Sequence, residues 1–173
     1  MGDSLLSKLG ELTFTAEEQD AVVVTPDAVA IPAEDFACSL VDKHMCIWVH
    51  IHNIPLSLMT AALACALGAS VDKVIMTDTR LEDGNMGEFM RVRVSFDTSK
   101  PLRRFVVLSR PDAKASLCPL QYEHLPLFCH GCGLIGHSVL ACPTTPKVEG
   151  QKFQYGAWLR AHLPKRSASQ PRG

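Results

Sequence analysis

Residues 129–142 read Cys-His-Gly-Cys-Gly-Leu-Ile-Gly-His-Ser-Val-Leu-Ala-Cys, which sets Cys129, Cys132, His137 and Cys142 at C-x2-C-x4-H-x4-C spacing. A loop this short cannot enclose a hydrophobic core, so its fold has to be held by something else. Three thiolates and one neutral imidazole complete the tetrahedral shell that zinc prefers and leave no open position for water. Gly133 and Gly136 stand where the chain must turn tightly between ligands. A redox pair at Cys129 and Cys132 is the alternative, but it explains neither the spacing of His137 and Cys142 nor the glycines.

The spacing is that of a zinc knuckle, a module that contacts single-stranded nucleic acid. No Lys or Arg lies between the ligands. Phosphate contacts supply most non-specific affinity, so the knuckle is expected to bind weakly unless neighbouring segments add charge. Candidate base contacts are Phe128, His130, Leu134 and Ile135, with Val139 beside them. The same side chains could instead pack the knuckle onto its domain or onto a protein partner, and the sequence leaves both readings open.

Charge is graded along the 173 residues. Residues 1–46 carry a net −7, residues 47–142 a net +1 and residues 143–173 a net +5. The basic end, with Lys165 and Arg166, is a candidate phosphate-binding tail, although a solvated disordered tail would have the same composition. Seven cysteines, an odd number, argue against a closed disulfide framework. The four outside the knuckle (Cys38, Cys46, Cys65 and Cys118) read as small buried hydrophobes, implying a reducing compartment, nucleus or cytoplasm. No apolar run is long enough to span a membrane, and no secretory leader is evident, so neither membrane insertion nor secretion is expected.

Periodicity predicts an α+β domain. Residues 46–53 alternate, with Ile47, Val49 and Ile51 on one face and Trp48, His50 and His52 on the other. Ser57 offers a cap for an amphipathic helix over 58–67 that Gly68 would end. Strands are predicted over 71–77, 89–96, 105–108 and 117–122, giving a small antiparallel sheet covered on one face by one helix. In the 89–96 strand, Arg91 and Arg93 share the face opposite Met90, Val92, Val94 and Phe96. Trp48, His50, Arg91 and Arg93 would then form a platform for unstacked bases, or merely the solvated face of the sheet. Residues 49–54 have the outline of a ribonucleoprotein motif with His50 at the stacking position, which favours an RNA-recognition-like topology.

The boundaries follow: an acidic, partly helical segment over 1–45, the α+β domain over 46–126, the knuckle over 127–143 and the tail over 144–173. Leu5, Leu6, Leu9 and Leu12 recur at helical spacing, and Thr15-Ala16-Glu17-Glu18 fits a capping box. Little order is expected there, because short helices are marginal without a packing partner. One short helix is predicted over 155–162, followed by a disordered end. No metalloprotease helix motif, P-loop or nucleophile elbow is present, so neither catalysis nor a small-molecule substrate is expected.

Several stretches resemble plant proteins derived from non-LTR (LINE-type) retrotransposons, in which an α+β domain precedes a knuckle of this spacing. They are residues 48–56 (Trp-Val-His-Ile-His-Asn-Ile-Pro-Leu), 90–94 (Met-Arg-Val-Arg-Val), 100–104 (Lys-Pro-Leu-Arg-Arg), the lead-in 122–129 with the knuckle, and 155–160 (Tyr-Gly-Ala-Trp-Leu-Arg). The start over 5–24 is similar too. The resemblance implies a non-enzymatic accessory protein that coats or chaperones element RNA, with zinc held by Cys129, Cys132, His137 and Cys142. Such proteins carry a further β-α-β block where Lys43-His44-Met45 here joins Ser39-Leu40-Val41 to the first strand. The resemblance therefore implies a truncated domain with bare apolar surface. Single-stranded RNA or DNA is the expected partner; the alternatives are self-association, docking of another protein, or a degenerate copy without function.

Overall fold

The computed structural model describes residues 10, 12–23, 43–78, 87–111 and 113–162. Leu5, Leu6, Leu9, Cys38, most of the 82–87 turn, Lys165 and Arg166 lie outside them. The chain forms a mixed sheet with few helices, curled as a half-barrel, followed by the knuckle region. Elements run α1 (Ala16–Gln19), β1 (Ala21–Val23), β2 (His44–His52), α2 (Ala61–Val71), β3 (Lys73–Thr77), β4 (Phe89–Asp97), β5 (Phe105–Arg110) and β6 (Ala113–Tyr122). The strand order is β1-β5-β6-β2-β4-β3. Among the described residues no helix is long and apolar enough to cross a membrane.

Alternation in β2 and β4 becomes a buried and an outer face, as side-chain period two requires. Ile47, Val49, Ile51, Met90, Val92, Val94 and Phe96 point into the core. The β2–β4 register sets Trp48 opposite Arg93 and His50 opposite Arg91. Leu108, Leu120 and Tyr122 close the far side of the core, and the Tyr122 hydroxyl donates to the Arg103 carbonyl at 2.7 Å. Among the described residues the inner face of the sheet is thus packed, while Val23, Leu56 and Met76 stay exposed elsewhere.

The sheet is not purely antiparallel. β1 pairs in parallel with β5, Ala21 to Val107 and Val22 to Leu108. Residues 12–23, expected to be poorly ordered, are fixed by a long-range anchor. Thr15 and Glu18 form the capping box, each side chain bonding the other's backbone N–H. Glu18 then reaches Arg104, accepting from its Nε at 2.9 Å and from its backbone N–H at 3.1 Å. Arg104 also donates to the Thr13 carbonyl at 2.5 Å and to Gln154 Oε1 at 3.0 Å, while Phe14 tilts against Phe105 with ring centroids 4.6 Å apart.

The helix differs from its prediction at both ends. After Pro55 the chain makes a 3-10 turn over Leu56–Leu58, and the cap is Thr60, whose hydroxyl accepts from Leu63 N at 3.2 Å. Gly68 does not end α2 but lies inside it, because the helix approaches the sheet so closely there. A Cβ on Gly68 would stand 2.7 Å from Val92 Cγ1 and 2.9 Å from Val74 Cγ2. Gly68→Ala gains about 1 kcal/mol of helix propensity but overpacks two β-branched neighbours at about 1–3 kcal/mol. A net loss of stability is expected in urea unfolding; a stabilised Gly68→Ala would show that α2 can move off the sheet.

Three further readings are corrected. Cys46 is half-buried and engaged in a disulfide, so it is not a small buried hydrophobe. Cys65 is half-buried too, and Cys118 alone among the described three is buried, which pushes its thiol up to about 12. The helix expected over 155–162 shrinks to a 3-10 turn at Ala157–Leu159. Arg160 instead bridges in parallel to Tyr122, and Ala161 N bonds the Tyr122 carbonyl at 2.9 Å, which draws the chain out straight.

Candidate metal centre and nucleic-acid interface

The knuckle begins as a small hairpin. Phe128 and Ile135 form an antiparallel bridge, Cys129 N bonds the Leu134 carbonyl at 2.9 Å, and Gly136 N bonds the Leu127 carbonyl at 2.8 Å. Gly133 and Gly136 take φ of +78° and +105°, the left-handed region where glycine is favoured. A 3-10 turn over Val139–Ala141 then carries Cys142 back toward the hairpin.

The ligand atoms of Cys129, Cys132, His137 and Cys142 all lie within 4.8 Å of one another, with Cys132 Sγ 3.3 Å from His137 Nε2. Bonds of about 2.0–2.3 Å to a tetrahedral ion would set such atoms roughly 3.5–4 Å apart. The cluster is compatible with a bound zinc ion. The Thr144 and Thr145 hydroxyls lie 3.4 and 3.1 Å from Cys142 Sγ and pull that thiol down to about 5. Burial pushes Cys132 the other way, to about 11. A coordinating divalent ion deprotonates thiols outright, so both groups serve as thiolates once metal is bound.

The knuckle is built into the domain. The Gly133 carbonyl accepts from Leu102 N at 2.9 Å, and the His130 carbonyl from Tyr155 N at 3.1 Å. The Tyr155 ring fills the space beside Gly133, where a Cβ would come within 2.4 Å of it. Tyr155 in turn lies under the Arg104 guanidinium, 5.2 Å from ring centroid to Cζ. Arg160 passes 5.3 Å over the Phe128 ring and donates to the carbonyls of Leu125 and Pro126. Sequence reasoning missed Tyr155, Arg104 and Arg160 as supports of this region, because their partners are distant in the chain.

The candidate base contacts divide. Phe128 is 2% exposed and seats the knuckle, while Ile135 is partly buried and packs against the core with one side. His130 and Leu134 are half-exposed, while Leu127 and Leu140, not singled out from the sequence, are well exposed. The sheet platform divides as well. His50 is 3% exposed: its ring stacks on Phe89 at 3.9 Å, and its Nε2 lies 2.5 Å from Glu123 Oε1. Its assignment as a stacking surface is corrected on that ground. Arg91 donates to both Glu123 oxygens, at 2.6 and 2.9 Å, and to Asp78 at 3.4 Å, with its Cζ 3.8 Å over the Trp48 ring. Burial opposes ionisation of Glu123, but the bonds from Arg91 and His50 outweigh it and hold the carboxyl below its ordinary value. Burial, with help from His50, lowers His52 to about 4, so it is neutral near pH 7.

A family model described as a zinc knuckle matches residues 96–144. The chain is also similar to the Uncharacterized protein At4g02000 of Arabidopsis thaliana, 27% identical over 97 residues, 56% of this chain and 31% of the relative. It thus spans about a third of the length of the curated relative it matches. No solved structure matches.

Proposed function

We propose that this chain binds single-stranded nucleic acid, RNA or DNA, in a zinc-dependent and non-enzymatic manner, as an accessory protein of retrotransposon origin. The observation that carries the reading is the gathering of Cys129, Cys132, His137 and Cys142 on a knuckle rooted in the sheet. In this reading zinc fixes the knuckle so that His130 and Leu134 face unstacked bases. The knuckle has no cation of its own, and Arg160 is committed to backbone carbonyls, so phosphate contacts beside the knuckle fall to the basic end, including Lys165 and Arg166. The plant-element origin is supported by the resemblance of residues 48–56 and of the knuckle lead-in.

Salt dependence tests the electrostatic part. With three to five phosphates engaged, log K should fall with log salt at a slope of about −2 to −3.5, and lysine-to-alanine changes in the tail should flatten it. A salt-independent affinity would place the contacts elsewhere. A protein-docking reading rests on Leu140, 80% exposed, and Leu127, 57% exposed. It predicts no oligonucleotide binding even at low salt.

A further inference from the structure

Strand register places Met76 beside Arg93 and Arg93 beside Trp48, a row across β3, β4 and β2 on the outer face of the sheet. The row differs from its neighbour in charge balance. Arg91 is neutralised by Glu123 and Asp78. Arg93 has no carboxylate partner among the described residues, and its Nε is shielded without a hydrogen bond. Its guanidinium lies 5.9 Å from the Trp48 ring, while Met76 on its other side is 45% exposed. Arg91 seals one face of the indole and holds the ring in place.

An unneutralised planar cation between an indole and an exposed thioether suits one chemistry well. A phosphate meets the guanidinium, and the bases on either side lie against the flanking apolar groups. A run of acidic side chains would satisfy Arg93 but carries no planar apolar group to lie against Trp48 or Met76. We infer that Trp48, Arg93 and Met76 form a nucleotide subsite for single-stranded nucleic acid, separate from the knuckle. The inference rests on the nucleic-acid reading above and extends it to a second contact surface. The path of the strand then takes in both the knuckle and the sheet face.

The chain holds two tryptophans, so Trp158→Phe leaves Trp48 as the sole indole. The zinc-loaded full-length Trp158→Phe protein is titrated at low salt with labelled oligothymidylate, following indole emission and oligonucleotide anisotropy together. The expected result is quenching of Trp48 with the same midpoint as the anisotropy. Adding Arg93→Ala should weaken binding roughly tenfold and make the salt slope about 0.7 shallower; unchanged zinc content and circular dichroism establish that this variant is folded. Rising anisotropy with constant Trp48 emission overturns the subsite but leaves the knuckle reading intact. No rise in anisotropy overturns both. Equal quenching by polyglutamate overturns nucleic acid as the occupant.

Discussion

Glu18→Gln is expected to destabilise the protein by about 3–5 kcal/mol in urea unfolding, because it leaves Arg104 buried without its counter-charge. The side chains of Arg104 and Glu18 are 1% and 3% exposed. The amide keeps the shape and one acceptor, so the loss is electrostatic and does not come from a cavity. Glu17→Gln, one residue away and exposed, is the control and should change stability by less than about 0.5 kcal/mol. Acid titration gives a second signature. Burial alone would raise the Glu18 carboxyl, but the bonds from Arg104 and from Thr15 N hold it below its ordinary 4.5. A carboxylate with a lowered folded value contributes stability that is complete above the unfolded value and is lost as pH falls through the folded one. The gap between wild type and Glu18→Gln should therefore be full above pH 4.5 and close as pH falls further. A gap that stays open in acid would assign the cost to packing.

Removing zinc is expected to have the other large effect. Structural zinc contributes about 10–16 kcal/mol of apparent binding energy in small finger peptides, and a loop this short has no core of its own. Because the Gly133 carbonyl accepts from Leu102 N and the His130 carbonyl from Tyr155 N, loss of the knuckle should be felt in the domain. Hydrogen exchange with and without chelator should show Leu102 and Tyr155 amides losing protection along with residues 129–142. The β2–β4 ladder, far from the metal in its bonding, should keep its protection. Protected Leu102 and Tyr155 amides in the zinc-free protein would mean that the hairpin stands without metal.

Local chemistry made much of this legible. The ligand spacing, the turn glycines, the Thr15–Glu18 capping box and the two faces of β2 and β4 each depend on residues a few positions apart. Features set by distant partners were hidden. Glu18 and Arg104 are 86 residues apart, and nothing in either segment names the other. β1 has three residues, too few for alternation to show, and its partner β5 begins directly after Arg104, to which Glu18 is bonded. Gly68 has the same appearance as a helix stop and as a close-packing residue; only the presence of Val74 and Val92 decides. His50 lost its role as an open platform for the same reason, since the Glu123 that buries it arrives from 73 residues away.

On the proposed reading, zinc on the knuckle makes the chain competent to hold single-stranded nucleic acid. The direct test is oligonucleotide anisotropy at one low salt concentration, comparing the full-length zinc-loaded protein with Cys132→Ser, zinc content measured in both. The variant should lack stoichiometric zinc and bind at least about tenfold more weakly, the equivalent of one lost stacking contact. Equal affinity in the two proteins, with zinc absent from the variant, would show that binding does not depend on the metal.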